Sequence, residues 1–250
     1  MLEGAAVPAA SAGTAPATGS PVYTLTTVVG LVVTALLWRW MTAADKQRDP
    51  RLVAIYLAGL GGGYLGAKLA FLLAEGWHHW GNWMALLSGH SITGALLGGV
   101  CGVEIAKAVS GYTRRTGDLF AVTVPVAIAI GRIGCMAAGC CPGVECGPEH
   151  QHAWWVVHDA AGHARWPAPA AELAFNAVFA AWALLAWRAG WQRGQRFNIY
   201  LMAYGVFRFA HEFLRDDVRW TTWLSGYHVV ALATAIAGAV LYLRRQRTPE

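Results

Sequence analysis

The chain has 250 residues, 56% of them hydrophobic and only 13% charged, with a formal net charge of +5; its mean hydropathy is +0.39. A soluble domain carries about twice that share of charged residues. The composition therefore excludes soluble enzymes and nucleic-acid-binding modules, and places the chain among integral membrane proteins.

The first twenty residues, MLEGAAVPAASAGTAPATGS, are small and polar and lack a basic n-region, so they read as a disordered tail rather than a signal peptide. Apolar runs of spanning length, about 20 residues, are then expected at 22–40, 51–74, 84–109, 118–138, 169–187, 197–214 and 223–243. A lipid-embedded backbone must satisfy its own hydrogen bonds in helices or a closed barrel. Runs without dyad alternation favour helices, and the frequent Gly and Ala suit close helix packing in lipid. The expected fold is all-α: a polytopic bundle of about seven transmembrane helices over 21–243, followed by a basic tail at 244–250.

The basic residues orient the bundle. Thirteen of them fall after the first, third, fifth and seventh runs, from Arg39 to Arg247, whereas the alternate loops hold only Arg165, Arg215 and Arg219. By the positive-inside rule the basic loops are cytoplasmic, so the N-terminus is expected outside and the C-terminus inside. The net charge follows from this asymmetry and requires no nucleic-acid partner.

Three basic residues remain, each inside a run: Lys68, Arg132 and Arg208. With His90 and Thr93 they converge on one layer in the outer half of the bilayer. An arginine in a spanning helix costs roughly 2.5–3.5 kcal/mol, so a compensating anion is expected. Glu212, one helical turn after Arg208, supplies a single carboxylate, and an Arg208–Glu212 staple is the structural alternative. One carboxylate does not neutralise three cations, and a phosphate suits the planar fork of arginine. In the outer leaflet such phosphates belong to lipid headgroups. Lys68 also has a second explanation, snorkelling to the surface.

The stretch YGVFRFAHEFLRDD (Tyr204 to Asp217) resembles the Tyr-Gly-x-x-Arg-x-x-x-Glu-Phe-x-Arg motif of prolipoprotein diacylglyceryl transferases. IGRIGCMAAGCCPG is similar to that family's Gly-Arg-x-Gly-Asn-x-x-Asn-Gly-Glu-x-x-Gly signature, and GHSITGALLGG to the segment carrying its histidine. GGGYLGAKLAF and WPAPAAE are weaker echoes. The resemblance implies a seven-helix bundle with a lipid cavity opening sideways into the plasma membrane of a bacterium. It implies transfer of the diacylglyceryl group of phosphatidylglycerol to the lipobox cysteine thiol of a preprolipoprotein, without a cofactor or metal. Arg132 and Arg208 are then expected to hold the phosphate and Tyr204 and Glu212 to orient the site. Gly139, Gly143, Arg215, Thr93 and Lys68 would complete substrate binding.

The departures are equally specific. Thr93 replaces the family histidine, Cys135 and Ala138 replace the signature asparagines, and Cys140 replaces the glutamate. A threonine hydroxyl is no base near neutral pH, so His90 and Glu212 are the alternatives for activating the thiol. Cys135, Cys140, Cys141 and Cys146 lack the paired C-x-x-C spacing of common zinc sites. An oxidising exterior favours disulfides; inert packing, a redox or metal role and direct catalysis stay open beside them. The competing functions are a divergent relative that binds phospholipid or uses another acceptor, and a thiol or metal protein on the same bundle.

Overall fold

The computed structural model describes residues 21–44 and 49–246; the expected tail at 1–20 and the last four residues lie outside them. Eight α-helices follow one another among the described residues: α1 Pro21–Ala44, α2 Arg51–Ala74, α3 Trp83–Ser88, α4 Ile92–Ser110, α5 Gly117–Ala138, α6 Ala168–Ala189, α7 Arg196–Glu212 and α8 Gly226–Gln246. A two-residue hairpin, β1 Val157–His158 with β2 Ala164–Arg165, lies in the loop between α5 and α6. Six helices are long and apolar enough to cross a membrane: α1, α2, α4, α5, α6 and α8.

Two expectations need correction. The run expected over 84–109 is broken into α3 and α4, because Asn82 and Ser91 each cap a helix start through a side-chain oxygen. Such caps satisfy the first free amides of a new helix. The sixth run forms α7, which has 17 residues and buries Arg196, Arg208, His211 and Glu212. It carries the polar centre of the bundle on its buried face and leaves Val206 exposed on the other. At the other terminus, α8 continues to Gln246 and takes Arg244 and Arg245 into the helix.

The surface is apolar where lipid would lie. On α1, Leu25, Val28, Val32 and Leu36 form an exposed helical stripe, and α8 presents Val229, Leu232, Ile236, Val240 and Leu243 in the same way. A surface like this is a liability in water and a match for hydrocarbon. The interior holds Trp38, Met41, Ile55, Leu119, Tyr200 and Tyr204. α5 packs between α1 and α6, α2 packs along α4, and α7 along α8.

The α2–α4 contact rests on glycine. A Cβ on Gly66 would strike the Gly94 carbonyl, and one on Gly98 would strike the Gly62 carbonyl. These are backbone atoms, which cannot swing aside. Gly98→Val is therefore expected to force the two helices apart and lower the unfolding midpoint in detergent, at a cost of at least about 1–3 kcal/mol. Gly61→Ala, which meets nothing within 4 Å, should leave the midpoint nearly unchanged.

Polar contacts tie the basic loops together at one end of the bundle. Arg51 donates to the carbonyls of Ser110 and Gly111. Arg196, 2% exposed, pairs with Asp118 at 2.7 Å and donates to the Ala186 carbonyl at the end of α6. Arg245 donates to the Gly194 carbonyl. Buried Arg196 thus joins the starts of α5 and α7, a structural task beyond its contribution to loop charge.

Candidate active site

The opposite end of the bundle contains a buried ionic cluster. α5 contributes Arg132 and α7 contributes Arg208, each 6% exposed. Residues one turn apart share a helix face, so Tyr200, Tyr204 and Arg208 line one side of α7. Arg132 lies 2.6 Å from Oε2 of Glu172, a fully buried residue in the second turn of α6. The Tyr204 hydroxyl donates to the other Glu172 oxygen. Asn176 donates to the Glu172 carbonyl at 2.8 Å and accepts from the Tyr200 hydroxyl at 2.7 Å.

Arg208 pairs with Glu212 at 2.7 Å and approaches Asp217 at 3.7 Å. The second Glu212 oxygen accepts the Ser225 hydroxyl at 2.8 Å. Arg215, three residues beyond the end of α7, pairs with Asp217 at 2.8 Å. Burial, the largest single influence, would raise the Asp217 carboxyl, and the Arg215 charge and hydrogen bond together with the Arg208 charge hold it below its ordinary value. The charges of Arg132, Arg208 and Arg215 all act on Glu172, so these side chains form one electrostatic unit.

This overturns the expected shortage of negative charge. Glu172, Glu212 and Asp217 answer Arg132, Arg208 and Arg215 one for one. Buried charges persist only when paired and hydrogen-bonded, and here the chain supplies the partners. A phosphate is therefore not needed to balance the resting cluster. What the cluster leaves open is hydrogen-bonding capacity. Arg132 Nε, Arg215 Nη1 and His211 Nδ1 are buried and have no hydrogen-bond partner among the described residues. His211 Nε2 accepts from the Trp166 indole at 3.2 Å, which assigns the imidazole proton to Nδ1 and makes that nitrogen a donor.

The remaining sequence candidates are distributed unevenly. Lys68 lies elsewhere: its ammonium donates to the carbonyls of Leu87 at 2.9 Å and Gly89 at 3.1 Å, and also to that of Leu86. It closes the C-terminal end of α3, where a cation is favoured. This replaces both the phosphate role and snorkelling. His90 is exposed beside Tyr64, with Nδ1 2.7 Å from the Ser88 carbonyl oxygen; neither contact is with the arginine cluster. Thr93 is buried and shares a 2.9 Å hydrogen bond with the capping Ser91.

Gly139 and Gly143 act through the backbone. Gly139 adopts a left-handed conformation (φ 63°) at the end of α5, with Cys140 N–H bonded to the Cys135 carbonyl at 3.1 Å and its own N–H to Met136 at 3.3 Å. That is a Schellman cap. Gly143 pairs with Arg215 in a β-bridge, and a Cβ there would collide with Trp166 and crowd the Leu214 carbonyl. The five cysteines are free, so the expected disulfides are not formed. Cys135, Cys140 and Cys141 instead gather their sulfurs within 4.8 Å of one another.

The loop over this end is held by Arg165, which donates to Asp159 at 2.6 Å, to Asp216 at 3.0 Å and to the Gly143 carbonyl at 3.3 Å. The Arg165 hydrogen bond is the main cause that holds the Asp159 carboxyl down at about 2. A depressed carboxylate contributes stability that is complete above its unfolded pKa, about 4, and is lost as pH falls through 2. Asp159→Asn is thus expected to speed amide exchange in the 144–166 loop at neutral pH, with the difference from wild type shrinking below pH 4.

A bundle whose lipid-facing helices enclose a cation–carboxylate cluster with unspent donors defines a membrane protein with a polar intramembrane site. The model of the family described as prolipoprotein diacylglyceryl transferase matches residues 19–244. The chain is 29% identical over 235 residues to the phosphatidylglycerol–prolipoprotein diacylglyceryl transferase of Dehalococcoides mccartyi, covering 90% of this chain and 89% of that one. It is 26% identical over 226 residues to an enzyme of Clostridium perfringens named phosphatidylglycerol–prolipoprotein diacylglyceryl transferase 2, covering 86% of each. It is 28% identical over 211 residues to the corresponding transferase of Bordetella parapertussis, covering 79% and 76%. The chain belongs to the prolipoprotein diacylglyceryl transferase family.

Sequence reasoning counted cations and passed over Glu172 and His211, although both stand in the quoted motifs. The missing signal was the same one that exposed the arginines. Glu172 is the sole carboxylate within the apolar run 169–187, and an ionisable residue inside a span marks a partnered or functional position.

Proposed function

We propose that this protein transfers the diacylglyceryl group of phosphatidylglycerol to the lipobox cysteine thiol of a preprolipoprotein, in the plasma membrane of a bacterium. The observation that carries this reading is the set of buried donors left unspent at Arg132, Arg215 and His211. An oxygen-rich anion is the ligand that such donors accept, and the guanidinium planes give them direction.

In the reaction the incoming sulfur attacks the glyceryl carbon that carries the phosphate ester. The carbon–oxygen bond breaks, glycerol-1-phosphate leaves, and its phosphate gains negative charge as the bond opens. Donors fixed in a water-poor site stabilise charge at the moment it develops. Arg132, Arg208 and Arg215 supply them, with Glu172, Tyr204 and Glu212 holding the guanidinium groups in place. A cavity of about 330 Å³, lined by apolar residues including Leu60, Leu96, Phe120, Val124 and Ile128, is suited to acyl chain. Ile128 lies one turn before Arg132. The cavity lining includes none of Arg132, Arg208 and Arg215 and extends to Glu104 and Arg245 at the basic end, so the headgroup seat is assigned from the unspent donors.

Purified protein incubated with phosphatidylglycerol vesicles and a lipobox peptide is expected to yield a thioether-linked diacylglyceryl peptide, detected by mass spectrometry. Binding of phosphatidylglycerol with no modification of any lipobox peptide would instead favour a lipid-binding relative.

A further inference from the structure

The transfer needs a group that removes the proton of the incoming thiol, and the expected bases do not fit. Thr93 is tied to Ser91, His90 lies on the exposed surface, and both Glu212 oxygens are engaged by Arg208 and Ser225. Three thiols stand beside the arginine cluster instead. The Arg132 guanidinium donates to Cys135 Sγ at 3.5 Å, and Cys140 Sγ and Cys141 Sγ both lie within 4.8 Å of that sulfur.

The backbone is shaped to bring these sulfurs together. The cap at Gly139 folds Cys140 back over Cys135, and Cys141 adopts a left-handed conformation (φ 59°) that is uncommon for a residue with a side chain. The three sulfurs lie within 4.8 Å of one another. Around one tetrahedral zinc ion with bonds of about 2.3 Å, thiolates stand roughly 3.8 Å apart.

Resting on the proposed transferase reading, we propose that Cys135, Cys140 and Cys141 form a binding site for zinc with an open fourth position that takes the lipobox cysteine. Zinc sites with three protein ligands and one exchangeable position are the catalytic kind. A thiol that coordinates a divalent cation is deprotonated outright. The lipobox thiol releases its proton to water on binding, and its sulfur then attacks the glyceryl carbon while the phosphate ester leaves. No oxidant or reductant is involved. The metal takes over the work of the base that Thr93 cannot perform, and it does so next to the donors assigned to the phosphate.

The test uses the full-length protein in detergent, reduced and stripped of metal, with cobalt(II) as the spectroscopic probe for zinc. One equivalent should produce the near-ultraviolet charge-transfer absorption of cobalt–thiolate bonds. A lipobox peptide should intensify that absorption, and its serine counterpart should not. Cys135→Ser and Cys141→Ser should weaken binding at least tenfold, whereas Cys101→Ala and Cys146→Ala should not. Should a triad variant fail to fold, alkylation of the wild-type protein gives the same answer: zinc should shield Cys140 and Cys141 and leave Cys146 reactive. Chelation should abolish thioether formation, and zinc should restore it. Absence of the thiolate absorption, or cysteines alkylated equally fast with and without zinc, would overturn the site. A normal metal signal without transfer in any form would sink the transferase reading and the role of the open position, leaving a structural metal site.

Discussion

Glu172→Leu is expected to lower stability by about 3–5 kcal/mol, because it leaves the Arg132 guanidinium buried without its counter-charge. The Tyr204 hydroxyl also loses its acceptor, which costs about 1–3 kcal/mol more unless Tyr204→Phe is introduced with it. The informative companion is the triple variant Arg132→Met, Glu172→Leu, Tyr204→Phe. Replacing a whole buried pair by apolar side chains of similar volume is often neutral or stabilising. The triple variant should therefore unfold near the wild-type midpoint in detergent while making no thioether product. Recovery of both stability and transfer would show that Arg132 and Glu172 only fasten α5 to α6.

The second large effect is expected at Arg208. Arg208→Lys keeps a positive charge near Glu212 and Asp217 but loses the planar fork that grips two oxygens at once. Transfer should fall by about 10²–10³, as for other single donors aimed at developing charge. The loss should appear in kcat more than in KM for phosphatidylglycerol, the mark of an interaction made chiefly in the transition state. An Arg208→Lys protein with wild-type kcat would assign this residue to helix stapling. Together with the Glu172 series, this variant separates the chemistry of the cluster from its contribution to folding.

The architecture was legible because lipid imposes long apolar runs, and six of them became helices within a few residues of the expected bounds. The run over 84–109 misled because its apolar content hid two local caps, at Asn82 and Ser91, that only side-chain geometry discloses. Arg132 and Arg208 were legible as expensive charges. Glu212, one turn after Arg208, was legible with it, whereas Glu172 reaches Arg132 from another helix and is brought there by the fold. Lys68 obeys the same cost argument yet serves α3, whose terminal carbonyls lie 18 to 21 residues away in sequence. The cysteines were visible as an oddity of the signature. Their convergence depends on the reversal at Gly139 and the left-handed Cys141, which spacing rules do not capture.

The most direct measurement is a structure of the protein with phosphatidylglycerol bound. The phosphate should be found within hydrogen-bonding distance of Arg132 Nε and Arg215 Nη1, with Glu172 and Asp217 still paired behind them. A phosphate seated at the Glu104–Arg245 end of the cavity, with both arginine donors untouched, would contradict the assignment of this cluster as the headgroup site.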